Sequence, residues 1–177
     1  MEELRNKIAI EQKKGLPFII TSIIIWLLIS IVSVLNISIA TKNLLVFCCS
    51  CPLLPISWII GKIMKIDIFS KENPLGQLGF LFTLNQMIYL LIVMWVFNAV
   101  PDKMIMVYAM VFGAHLFPYS WLYKSIDYKV VAIFIPIVSL VLGCNFNGYI
   151  VAIAVCITEI VFAIVLWIEL KKIQVNK

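Results

Sequence analysis

Gly148-Tyr149-Ile150-Val151-Ala152-Ile153-Ala154-Val155-Cys156-Ile157-Thr158-Glu159-Ile160-Val161-Phe162-Ala163 carries a single carboxylate, Glu159, in the middle of an apolar segment. Wound as a helix, Gly148, Ala152, Cys156, Glu159 and Ala163 share one face, and Ile150, Val151, Ile157, Val161 and Val165 cover the rest. Small residues let helix backbones come close in lipid, so the face that holds Glu159 is predicted to pack inward against other helices.

The rest of the chain has the same character. It has 177 residues, 63% hydrophobic and only 13% charged, with a mean hydropathy of +1.08. A soluble domain has roughly 25% charged residues, so the excess apolar surface requires a lipid bilayer as solvent. The net charge of +5 does not point to nucleic acid, because the basic residues lie between apolar runs without interleaved aromatics.

Six spans follow, an all-α bundle at 16–40, 44–64, 75–100, 104–123, 128–144 and 148–170. Residues 1–15 form a weakly amphipathic lead-in, either lying on the membrane through Leu4 and Ile8 or solvated, and 171–177 form a basic tail. The first apolar run exceeds the core of a signal peptide and reads as an uncleaved span. Thr41-Lys42-Asn43 and Pro101-Asp102-Lys103 make short outer turns, and Gly143-Cys144-Asn145-Phe146-Asn147-Gly148 splits the last long apolar stretch. Pro52 and Pro55 in the second span and Pro136 in the fifth are predicted helix breaks. Together they hint at an inverted repeat of three spans each.

Lys and Arg favour the cytoplasmic side. With the N-terminus inside, Arg5, Lys7, Lys13, Lys14, Lys62, Lys65, Lys71, Lys124, Lys129, Lys171, Lys172 and Lys177 fall inside and only Lys42 and Lys103 outside. Both termini are therefore expected in the cytoplasm.

Glu159 and His115 each lie about eleven residues from the outer end of their spans, near the bilayer centre, and Asn85 and Gln86 reach that depth from the inside. Tyr108, His115 and Tyr119 share a face of the fourth span. Polar side chains at that depth pair with one another or line a pathway. The predicted site joins Glu159 to His115 or to the Asn85 and Gln86 amides, as interhelical glue or as a site for a proton or small solute.

Two alternatives use other residues. Small faces, including Ala109 and Gly113, suit an accessory subunit that docks a membrane partner, or a homo-oligomer. Cys48 and Cys51 form a C-x-x-C pair suited to thiol redox chemistry or a soft metal such as Cu(I), though no Lys or Arg stands beside them. There is no H-E-x-x-H, G-x-S-x-G or phosphate-binding glycine loop, and no cofactor is called for.

Glu11-Gln12-Lys13-Lys14-Gly15-Leu16-Pro17-Phe18 and Phe112-Gly113-Ala114-His115-Leu116-Phe117-Pro118-Tyr119-Ser120-Trp121-Leu122-Tyr123 resemble a family of small bacterial multi-pass membrane proteins of unknown function. The resemblance extends along the full chain; it implies a bacterial plasma membrane and assigns no activity. In size, span count and orientation the chain is also similar to the substrate-binding subunits of energy-coupling-factor vitamin transporters. Its first span lacks their Ala-x-x-x-Ala docking pattern, and its outer loops are too short for a substrate lid.

Overall fold

The computed structural model describes residues 1–70 and 72–175; Lys71 and Lys177 of the basic set lie outside them. Nine helices and no strand occur among the described residues. They are α1 (Glu2–Glu11), α2 (Leu16–Val34), α3 (Ile39–Ser50), α4 (Leu53–Ile63), α5 (Leu75–Ala99), α6 (Met104–His115), α7 (Phe117–Leu122), α8 (Ile126–Asn145) and α9 (Gly148–Val175). Short 3-10 turns at Lys13–Gly15 and Pro101–Lys103 lead into α2 and α6. Six helical stretches are long and apolar enough to cross a membrane, with α3 and α4 forming the second and α6 and α7 the fourth. Helices dominate because in lipid each backbone N–H and C=O must find its partner within the protein.

The first two spans differ from expectation. The first ends at Val34 rather than residue 40, and the second starts at Ile39 rather than 44. Ser38 causes this: its side chain accepts from the Thr41 amide at 3.2 Å and caps α3, so the turn between the first two spans is Leu35–Ser38 and Thr41-Lys42-Asn43 is helical.

The prolines also sort differently. Pro52 precedes α4 and separates it from α3, as predicted, whereas Pro55 sits in the first turn of α4, where an amide needs no helical partner. Pro136 does not break α8, which runs unbroken from Ile126 to Asn145. The break in the second half falls in the fourth span at Leu116, where Pro118 cannot continue the backbone ladder of α6. Broken helices thus occupy spans two and four, and the matched breaks that suggested an inverted repeat are absent.

Side-chain contacts sort the connections to two ends. At one end Arg5 donates to the Trp121 carbonyl at 2.8 Å, Lys13 to Met64 at 3.0 Å and Asn73 to Leu4 at 2.9 Å. Lys14 pairs there with Glu169, which puts the start of the first span beside the end of the last. Lys124 pairs with Glu2 at 2.6 Å, and that bond holds the Glu2 carboxyl below the usual carboxylate range. At the other end Asn43 donates to the Pro101 carbonyl at 2.9 Å and Lys103 to Gly143 at 2.6 Å.

The lead-in neither lies on lipid nor frays. Ile8 and Ala9 are buried, and α1 packs beneath α5 and α7. The corner into α2 is left-handed at Lys13, Lys14 and Gly15, with φ of 43°, 50° and 70°. Such a conformation costs a non-glycine residue roughly 1–2 kcal/mol. Tyr128, which donates to the Lys14 carbonyl at 2.7 Å, and the Lys14–Glu169 pair hold the corner in place. Gly15 is required there: a Cβ would meet Tyr123 and Tyr128 at about 3.1 Å.

The Ala109 and Gly113 face of α6 is not free for a partner. Both residues are buried, and α6 crosses α8 at Gly113, where a Cβ would lie 2.5 Å from the Pro136 ring and 2.7 Å from Ile135. Gly113→Ala is therefore expected to lower stability by about 1–3 kcal/mol, the range for overpacking a close contact. Adding Pro136→Ala removes the ring and should recover part of the loss, as read from thermal midpoints in detergent.

Candidate functional site

α2 and α9 form the most extensive helix pair of the bundle. Lys14 meets Glu169, Ser22 meets Glu159, and the Ile23 carbonyl meets Cys156 Sγ, so the two helices run antiparallel. Small residues make the close approach possible. On α9 these are Ala152 and Cys156; on α2 they are Ser22, Ser30 and Ser33, all buried. The three serines bond back to their own helix, to the carbonyls of Ile19 at 2.7 Å, Trp26 at 2.7 Å and Ile29 at 2.6 Å.

Glu159 faces inward and is fully buried, as its small-residue face predicts. Its partner is Ser22 of the first span, hydrogen-bonded to Oε2, and not His115, Asn85 or Gln86. Oε1 has no hydrogen-bond partner among the described residues. The signal for Ser22 was the spacing of hydroxyls at 22, 30 and 33 in a charge-free helix, which marks a close-packing face.

Beyond Ser22 lies a cavity of about 840 Å³. Gln12, Ser70 and Gln77 line it at the end that holds the N-terminus. Trp26 lines its deep part, ten residues or about 15 Å along α2. There an aromatic cluster closes it: Trp26 stacks near Tyr108 and Phe112 with centroids 5.6 and 5.4 Å apart, and Phe47 bridges Tyr108 and Phe97 at 6.3 Å each. Ser50 and Tyr108 share a hydrogen bond at 2.5 Å that ties α3 to α6. Ser22 therefore stands between the cavity and the carboxyl.

Of the predicted residues, His115, Gln86, Tyr108 and Tyr119 line this cavity. His115 is the last residue of α6, at the break before Pro118, and its Nδ1 is bonded to the Phe112 carbonyl. A carbonyl only accepts, so Nδ1 carries the hydrogen, and in the neutral ring Nε2 is left with a lone pair. The Gln86 side chain is buried and makes no hydrogen bond among the described residues. Tyr119 donates to the Gly79 carbonyl at 2.9 Å and meets Thr83 Oγ1 at 2.8 Å, fastening α7 to α5.

Asn85 departs from the expected cluster. It is exposed on the outer face of α5 beside Ile88 and Tyr89, one helical step from Gln86 but turned away from the cavity. Adjacent helical positions differ by about 100°, so the neighbouring amides could not both face inward. Cys48 and Cys51 carry free thiols at exposed positions, Cys51 at the cavity edge. Among the described residues no three His, Cys, Asp or Glu side chains gather as metal ligands.

The Ser22–Glu159 contact makes a quantitative test possible. Ser22→Ala leaves a buried carboxyl with no partner and is expected to cost about 1–3 kcal/mol. Glu159→Gln retains a donor and an acceptor toward Ser22 and should change stability by less than about 1 kcal/mol, while the double variant Ser22→Ala with Glu159→Leu should recover most of the loss. Asn85→Leu removes an amide from lipid and is expected to leave the thermal midpoint unchanged or higher. All four follow from thermal unfolding in detergent.

No curated protein and no solved structure matches the chain. A family model does, over residues 1–169, which includes α2, α9 as far as Glu169, Ser22, Glu159 and every residue that lines the cavity. The chain is thus a multi-pass helical membrane protein that belongs to the family of unknown function DUF7010.

Proposed function

We propose that the protein is a membrane binding protein of the transporter kind, which takes a small solute into the cavity and couples its binding to a proton on Glu159. The observation that carries this reading is a cavity of about 840 Å³ whose wall residue Ser22 is bonded to a buried carboxyl. Ligand sites typically occupy about 300–1,000 Å³, with an apolar lining and a few polar groups. Aromatic walls with Gln86, His115, Ser22 and Thr83 fit that description.

Hydrogen counting supports the proton. Ser22 has one hydroxyl hydrogen but stands within reach of two acceptors, the Ile19 carbonyl and Glu159 Oε2. A proton on the carboxyl resolves this: Glu159 donates to Ser22 Oγ, and Ser22 donates on to Ile19. A solute that bonds to Ser22 from the cavity side competes for that same hydrogen and so changes what the carboxyl must hold.

The cavity begins near the end that carries the termini, where Gln12, Ser70 and Gln77 line it. That end is the cytoplasmic one in this reading, because Arg5, Lys7, Lys13, Lys14, Lys62, Lys65, Lys124, Lys129, Lys171 and Lys172 belong to it and only Lys42 and Lys103 to the other. The resemblance to bacterial proteins supports a bacterial plasma membrane for it. A cavity closed by aromatics at mid-depth and reached from the half of the bundle nearer that end is what one state of an alternating-access carrier requires.

The test is a thermal-stability screen of small neutral and amphipathic compounds against the original chain and Leu90→Trp, which fills the deep part of the cavity. A ligand at a hundred times its Kd contributes about 2.7 kcal/mol. That corresponds to a midpoint rise of roughly 5 °C or more for a chain of this size. The rise is expected in the original and not in Leu90→Trp. The hit should then exchange protons with a weakly buffered solution on binding, and Glu159→Gln should abolish that exchange. If no compound stabilises the original and Leu90→Trp alone is more stable, the cavity is a packing defect.

A further inference from the structure

We propose that the ligand is a neutral amphipathic molecule with a hydroxyl-bearing head, and that it enters sideways from the lipid between α4 and α5. This rests on the reading of the cavity as a binding site. The first support is the gap itself. α4 packs against α2, and α5 packs against α6 and α7, but α4 and α5 make no comparably extensive contact with each other. Leu54 on α4 and Phe80, Leu84 and Met87 on α5 all line the cavity, yet they are 41%, 51%, 45% and 45% exposed. They form the edges of an opening at membrane depth, in the half of the bundle nearer the termini. Lipid chains, not water, stand outside it.

The lining decides the head group. No Lys, Arg, Asp or Glu lines the cavity among the described residues. A ligand with a fixed charge would lose its hydration there and find no counter-charge. Away from the Gln12 and Gln77 amides at the terminal end, two polar groups remain uncommitted: the Gln86 amide, which can both donate and accept, and His115 Nε2, which accepts. A hydroxyl accepts from the first and donates to the second. Phe18, Ile25, Trp26 and Phe112 offer an apolar wall for the rest of the molecule.

The experiment uses the full chain in lipid nanodiscs and three photoreactive probes with the same diazirine-bearing dodecyl tail. Their heads are a glycerol ester, a carboxylate and a trimethylammonium, and the labelled residues are mapped by mass spectrometry. The glycerol ester is expected to label Trp26, Leu90 and Phe112, competed by excess unlabelled monoacylglycerol, with the charged probes at least tenfold weaker. Leu84→Trp with Met87→Trp should narrow the gap and remove the deep labelling but leave that of exposed Leu91 unchanged. Gln86→Leu should weaken it about tenfold, the equivalent of one hydrogen bond to a buried partner. Labelling confined to lipid-facing residues, or equal deep labelling by all three heads, would overturn the proposal. If a tail-free water-soluble compound raises the midpoint in the earlier screen while deep labelling fails, the cavity is a binding site and only the lateral, amphipathic assignment falls. If both fail, the binding reading falls as well.

Discussion

A carboxyl group at the centre of a membrane protein, bonded by one serine hydroxyl, fixes how the first and last spans must meet. In lipid, apolar surface gains nothing by leaving one hydrocarbon for another, so close packing and polar pairing hold helices together. Ser22 and Glu159 supply the polar pair, and the small residues around them supply the approach. Once α2 and α9 are joined, Lys14 reaches Glu169 and the left-handed corner before α2 is locked. Everything else is arranged around that pair. α6 and α8 close one side through Gly113, and α4 attaches to the other through Ser57, which donates to Thr21 at 3.0 Å. α5 is held by Tyr119 at one end and the Phe47–Phe97 contact at the other, and the cavity occupies the space between.

The cavity and the carboxyl are therefore one system. Without the Ser22 hydroxyl, Glu159 would be a buried group with nothing to bond, which costs far more than the contact contributes. That asymmetry explains why an expensive residue is compatible with a stable fold while its environment still responds to what enters the cavity. Gln86 and His115 lie in the same wall, each with a polar atom uncommitted to the protein.

How much of this could be read from the sequence depended on whether lipid and protein leave different marks on a helix. The spans were legible because composition reports the solvent, and the inward direction of Glu159 was legible because Ala152 and Cys156 flank it on one face. Asn85 and Gln86 were not separable: every side of α5 is apolar, so periodicity does not tell the lipid-facing side from the protein-facing one. Ser22 was harder to read: the hydroxyl spacing marks a close-packing face, but a serine in a membrane helix satisfies itself on its own carbonyl and does not reveal a second partner. The prolines show the same limit. Pro136 is tolerated because Gly113 lies opposite it, a fact of tertiary packing, while Pro118 breaks the fourth span at the turn that carries His115.

The pairing of α2 with α9 also orders events during synthesis. α2 leaves the ribosome well before its main partner α9, so it must wait in the bilayer while the four spans between them are made. It is equipped to wait, because Thr21, Ser22, Ser30 and Ser33 are all bonded to carbonyls of their own helix. Glu159 has no such internal partner. The group that cannot stand alone in lipid arrives later, when the hydroxyl that receives it is already in place.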